Sequence, residues 1–241
     1  PVISPDGQAL LYGQGVEFAE GQFFALQSTT NLPEPPSWTT VVGQAYRLTA
    51  NVPIPEGVSI SFSYLGRDVP PGEEAGLEVH FWNEAQQRWD VLPTVLNTEQ
   101  NTASARAEGE GLYALMTSIK LPLQAGWNQI AYPVQATRPV AEALASIQGV
   151  YTTVKTYDPT DPNGPWLTYD VNQPEELNTL RELKFGRGYF IHVTRDVTLR
   201  LKGPLGAAVT AHSNSRPDAK TLDQLPAIYY GPVQSGEGFV P

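Results

Sequence analysis

Short strand-like runs return about every 10 residues through the first half of this chain, with Gly, Pro or Asn between them. Ala9–Tyr12, Phe23–Gln27, Tyr46–Ala50, Val58–Tyr64, Leu77–Trp82, Arg88–Leu92, Thr102–Ala107 and Gly111–Met116 all have this character. Val58-Ser59-Ile60-Ser61-Phe62-Ser63-Tyr64 alternates apolar and polar residues over its whole length. Successive side chains of a strand point to opposite faces, so such a run has one buried face and one wet face. Leu77-Glu78-Val79-His80-Phe81 alternates in the same way. Regularly spaced short strands with turn residues between them predict an antiparallel β-sandwich over residues 1–120.

Residues 121–203 read differently. Gly126–Tyr132 is a strand ended by Pro133, and the stretch from Pro139 to Ile147 is the best helix pattern in the chain. Val140, Leu144 and Ile147 share one helical face, Thr137 is placed as the N-cap, and Gly149 closes the segment. Strands are predicted at Thr153–Tyr157, Trp166–Tyr169, Gly188–Val193 and Thr198–Leu201, with Asn178–Leu183 as a helical turn or short strand. The expected fold is therefore mainly β: the sandwich, then a small α+β unit with one helix. Residues 204–241 read as a linker with the start of a further β element at Ile228–Val233. Asn31–Ser37 holds three prolines and reads as a surface loop or stiff linker.

Composition narrows the function. The net charge is −10, from 25 acidic and 15 basic residues, so a phosphate backbone would be repelled and nucleic-acid binding is not expected. No apolar run approaches the roughly 20 residues that span a bilayer, so helical membrane insertion is not expected. There is no cysteine, which removes disulfides, thiolate metal sites and a Cys nucleophile.

The remaining chemistry is sparse. His80, His192 and His212 are far apart, and the first two alternate with apolar neighbours, which predicts that both face solvent. Glu73-Glu74, Glu108 with Glu110, and Glu175-Glu176 read as solvated loop residues, not as two carboxylates facing each other across a cleft. Gly186-Arg187-Gly188 precedes a strand, so it reads as a tight turn; a phosphate cradle would need a helix there. Asp158-Pro159-Thr160-Asp161-Pro162-Asn163-Gly164 sets oxygen-bearing side chains among turn formers. Asp158, Asp161 and Asn163 are therefore candidate Ca²⁺ ligands, with Asx-turns as the alternative. No other cofactor is expected. Among the five Trp, Trp166 follows a Gly-Pro turn and is the best candidate for exposure, and with Tyr169 it is the candidate ligand-binding pair.

Two groups of residues carry a resemblance. The first is Leu77–Asn83 and Trp89–Thr94, followed by Asn101-Thr102-Ala103-Ser104-Ala105 and Gly111-Leu112-Tyr113-Ala114-Leu115-Met116. The second is Gly126-Trp127-Asn128, Val140–Ile147, Tyr157, Trp166 and Phe185-Gly186-Arg187-Gly188-Tyr189-Phe190-Ile191. Both groups resemble tandem β-sandwich and small α+β modules of large secreted or cell-surface proteins of filamentous phototrophic bacteria, with Phe190 where such modules often carry Trp. The resemblance implies surface exposure, a tandem arrangement and a role in adhesion, envelope structure or display. The expected function is a non-catalytic extracellular structural or adhesive module, cut from a larger bacterial surface protein. It would act through domain packing and edge-strand contacts with neighbouring domains or identical subunits, with the strand-like segments Ala9–Tyr12 and Ile228–Val233 near the chain ends as the candidates for strand addition. The alternative is a carbohydrate-binding module that meets surface glycans with exposed aromatics.

Overall fold

The computed structural model describes residues 1–13 and 20–206, and the chain divides into two compact units, Pro1–Ile119 and a second beginning at Lys120. The fold is mainly β with several antiparallel sheets. In the first unit, among the described residues, two five-stranded sheets form. One holds β1 (Val2–Ile3), β2 (Ala9–Gly13), β5 (Val58–Ser63), β8 (Thr94–Asn97) and β9 (Thr102–Arg106), in the order β1-β2-β5-β9-β8. The other holds β3 (Phe24–Thr29), β4 (Thr40–Ala50), β6 (Glu78–Asn83), β7 (Arg88–Val91) and β10 (Gly111–Thr117), in the order β3-β4-β10-β6-β7.

The alternation seen in the sequence makes the core. Leu11, Ile60 and Phe62 from one sheet pack in a single cluster with Leu48, Val79, Tyr113 and Leu115 from the other. Burying each such side chain stabilises the fold by roughly 1.5–3 kcal/mol. Tyr46 meets Phe62 edge to face across the sandwich, with ring centroids 5.6 Å apart. The Tyr113 hydroxyl donates to the Gly109 carbonyl at 2.7 Å and accepts from the amides of Glu108 and Gly109. One phenol thus satisfies three backbone groups where the chain passes from β9 to β10, a tyrosine corner of the kind found in other sandwiches. Burial pushes that phenol up to about 12, so it stays protonated.

Three expectations change in this unit. His80 does not face solvent: it is 2% exposed. It does point away from the sandwich core, sharing a face with its register partner Ala114. That outer face is itself apolar, with Trp82, Trp89, Leu112 and Met116 clustered and Leu32 and Val41 packed against them. Thr39, just past the proline-rich segment, donates to the Met116 sulfur at 3.5 Å. Glu73 is not a solvated loop residue either; it is buried, and its carbonyl accepts the Thr117 hydroxyl. Finally, β2 is not free to pair with another chain, because β1 and β5 occupy its two edges.

The second unit is built on a four-stranded antiparallel sheet. Around it lie β11 (Ile119–Leu123), which crosses the unit boundary, β13 (Arg138–Pro139), β16 (Glu182–Leu183) and β18 (Val197–Leu201). The sheet itself contains β12 (Gly126–Ala131), β14 (Tyr151–Tyr157), β15 (Trp166–Asp170) and β17 (Gly188–Val193), in the order β12-β17-β14-β15. The expected helix is shorter than its pattern. Only α1 (Val140–Ala143) is α-helical, and the chain tightens into a 3-10 turn at Ala145–Ile147. Thr137 is not the cap, because Arg138 and Pro139 pair with Leu183 and Glu182 as a strand. The Ser146 hydroxyl bonds both the amide and the carbonyl of Arg200 in β18, and this tertiary contact replaces another helical turn. Leu205 bridges to Val134, so residues 204–206 are tied to this unit; His212 and Ile228–Val233 lie outside the described residues.

Gly76 marks the tightest backbone approach of the sandwich. A Cβ built there would sit 2.0 Å from the Ser118 carbonyl oxygen, while one at Gly66 would meet nothing within 4 Å. Gly76→Ala is therefore expected to destabilise the protein by about 3 kcal/mol in urea unfolding, and Gly66→Ala by less than about 1 kcal/mol. Equal effects would show that the approach at Gly76 relaxes freely.

Candidate functional site

The four-stranded sheet has one dry face and one open face, and strand alternation decides which residue goes where. In β14, Val154 and Thr156 are buried while Lys155 and Tyr157 point the other way. In β17, Tyr189, Ile191 and Val193 are buried, which turns Phe190 and His192 outward. In β12, Asn128 and Ile130 go in, and Trp127 and Gln129 go out. Register then lines the outward residues up across strands: Gln129 opposite Phe190, Phe190 opposite Lys155, Lys155 opposite Thr168, and Tyr157 opposite Trp166.

The result is an aromatic row on the open face. Tyr157 and Trp166 pack with centroids 5.4 Å apart, and Trp166 lies 6.1 Å from Phe190. Further along, Trp127 and His192 lie 5.2 Å apart, and the Lys155 ammonium sits 5.5 Å from the Trp127 ring centre. The rings are far from sealed: Tyr157 is 52% exposed, Trp166 40% and Trp127 38%. A hydrogen bond of 2.9 Å between Thr152 Oγ1 and His192 Nδ1 fixes the imidazole within the row.

The structure separates the candidate pair Trp166 and Tyr169. Three residues apart in one strand, they lie on opposite faces. Tyr169 is opposite the buried Val154 and stacks near Tyr151, at 6.4 Å, closing the dry side. Burial, together with Tyr169, pushes the Tyr151 phenol up to about 12. The aromatic partners of Trp166 are Tyr157 and Phe190, which the strand alternation marks as outward residues once Val154 and Ile191 are placed inside.

Asp158, Asp161 and Asn163 lie in the loop that joins β14 to β15, directly between Tyr157 and Trp166. Asp158 Oδ1 accepts the Thr160 amide and hydroxyl, and Asp161 Oδ1 accepts the amides of Asn163 and Gly164. These are Asx-turns. The other Asp158 oxygen pairs with Arg187 at 3.3 Å. The Thr160 bonds, with Arg187 beside them, hold this carboxyl below the usual carboxylate range. Among the described residues no three His, Cys, Asp or Glu side chains converge in a way that would hold a metal ion. The loop's polar groups serve to close the hairpin, and they thereby fix Tyr157 against Trp166.

A cleft lined by Gln8, Gln44, Tyr64 and Asp68 at the sandwich has about 10 Å³ of free volume, room for about one water. Glu108, Glu110, Glu175 and Glu176 are exposed. No family model matches the chain, and neither a curated protein nor a solved structure matches it.

With the loop oxygens turned inward, Ca²⁺ at millimolar concentration is expected to leave the thermal midpoint where EDTA leaves it. A rise in midpoint on adding Ca²⁺, lost in Asp161→Ala, would restore the metal reading.

Proposed function

We propose that this chain is a non-catalytic structural and adhesive module of an extracellular bacterial surface protein, working by contact through the open aromatic face of its second unit. The observation that carries the reading is the exposure of Tyr157, Trp166 and Trp127 together on one rigid sheet face. Exposed aromatic patches on soluble domains mark contact surfaces, because leaving large rings in water forgoes the stabilisation that burial gives. A sheet holds such rings in fixed positions, so little ordering entropy is lost when a partner arrives.

Edge-strand contact is the second route. The outer strand β8 carries Val95 at 74% exposure, and strand addition there would give backbone hydrogen bonds to a neighbouring domain or identical subunit. The aromatic face is favoured because it gathers three exposed rings, whereas β8 is only four residues long. Carbohydrate binding is the form of adhesion that the mixture of rings with Gln129, Thr153, Lys155 and Thr168 favours.

Co-sedimentation with isolated bacterial cell envelopes tests the proposal. The intact protein is expected to pellet with envelopes, and Tyr157→Ala with Trp166→Ala is expected to weaken retention about tenfold or more, at unchanged circular dichroism. Retention that survives the double change but falls in Val95→Lys would transfer the role to the β8 edge. Absence of retention in the unaltered protein would remove the adhesive reading.

A further inference from the structure

Resting on that reading of the open face, we infer that its ligand is an acidic polysaccharide bearing uronate groups. The chain lies across the strands, its sugar rings against Tyr157, Trp166 and Phe190 and a carboxylate at Lys155. The side chains of this face are of two kinds. Trp127, Tyr157, Trp166 and Phe190 offer apolar ring surface, and Gln129, Thr153, Lys155 and Thr168 offer hydrogen-bonding groups beside them. Leu, Ile, Val and Met do not occur at its outward positions. Sugars combine an apolar C–H face with a rim of hydroxyls, and that is the pattern these side chains complement. A lysine at the middle of the patch argues against a protein partner, because lysine is depleted from the cores of protein interfaces.

Charge decides between neutral and acidic sugars. The chain carries 25 acidic residues and only 15 basic ones, yet the charge at the centre of this face is the Lys155 ammonium. Among the described residues it forms no ion pair, and it lies over the Trp127 ring. Asp170 also lies on the outward side, at the end of β15, but its Oδ1 accepts the Asn172 amide in the following turn. Asp158 and Arg187 at the rim neutralise each other. A cation held between Trp127 on one side and Phe190 and Trp166 on the other is complementary to an anionic group set between two stacked sugar rings.

The dimensions agree. Three spacings of about 4.8 Å separate β12 from β15, and the register sets Trp166 four residues further along the strands than Trp127, so the two rings lie roughly 20 Å apart, longer than a single sugar ring, and an extended chain is needed to meet both ends. Successive rings are inclined, by 73° between Tyr157 and Trp166 and by 58° between Trp166 and Phe190. A flexible, twisted polysaccharide meets such a surface better than a crystalline sheet of chains.

Affinity electrophoresis and titration calorimetry on the full chain test this with polygalacturonate and alginate, and with fully methyl-esterified polygalacturonate as the uncharged match. The intact protein is expected to bind at least one acidic polymer, and to bind the methyl ester about tenfold or more weakly. Lys155→Gln should reduce binding of the acid to the level of the ester, Lys155→Arg should retain it, and Trp166→Ala should abolish both. Equal affinity for acid and ester, or a Lys155→Gln variant that binds normally, would overturn the acidic ligand while leaving a carbohydrate surface. Binding to none of these polymers, with envelope retention still lost in the Trp166 variant, would overturn the carbohydrate inference and leave the adhesive role. Loss of both measurements would bring down the two together.

Discussion

The burial of Val154 and Ile191 beneath the four-stranded sheet is the constraint from which the open aromatic surface follows. Both side chains are withdrawn from water and lie directly opposite each other in register. A slip of one residue would turn them out and carry Lys155 and Phe190 into the core. That loss of apolar burial, with a charge left among apolar neighbours, holds the register in place. The outward residues are then fixed without any interaction of their own being needed. Phe190 faces Lys155 because Ile191 faces Val154. The bulge near Thr152 adjusts the strand at one end, where it brings the Thr152 hydroxyl to His192.

The sandwich shows what the same chain does with an aromatic outer face that is not left open. Trp82 and Trp89 project from the outside of β6 and β7 and pack edge to face at 5.5 Å, much as Tyr157 and Trp166 do. Yet they are only 9% and 8% exposed, because they belong to an apolar cluster against which Leu32 and Val41 pack. The three prolines between Asn31 and Ser37 limit the conformations of the segment that runs there, so little entropy is lost in laying it down. The contrast between these faces gives the exposure of Trp127 and Trp166 its weight. Two pairs of rings with similar mutual geometry have opposite relations to solvent, and packing within the sheet alone does not explain that difference.

Much of the fold was legible because it depends on period and punctuation. Val58–Ser63 and Gly188–Val193 form where alternation places them, with turns at Gly and Pro. What escaped was set by distant contacts. Thr94–Asn97 is a strand through pairing with Thr102–Ala105, although only Val95 and Leu96 between two polar ends announce it. The helix pattern from Pro139 to Ile147 was read correctly as a helical segment, but its length was decided by Ser146 bonding to Arg200, more than fifty residues later. His80 was placed on the correct side of its strand and assigned the wrong environment, because alternation tells which face a residue takes and not what covers that face.

The candidate site was half legible for the same reason. Trp166 could be singled out from its turn, but coupling it to Tyr169 ignored that residues three apart in a strand look away from each other. Its true neighbours come from β14 and β17, and pairing between strands distant in sequence is not written in local pattern. The Asp158–Gly164 loop illustrates the complementary lesson. Oxygen-rich loop chemistry serves a cation or a turn equally well until the direction of each oxygen is known. Here Asp158 and Asp161 bond inward to amides of their own loop, and Arg187 takes the remaining charge. The loop is thus built like a clasp. It draws Tyr157 and Trp166 together at the end of their hairpin, so the residues first singled out as ligands act one step removed, by holding the rings of the proposed contact face.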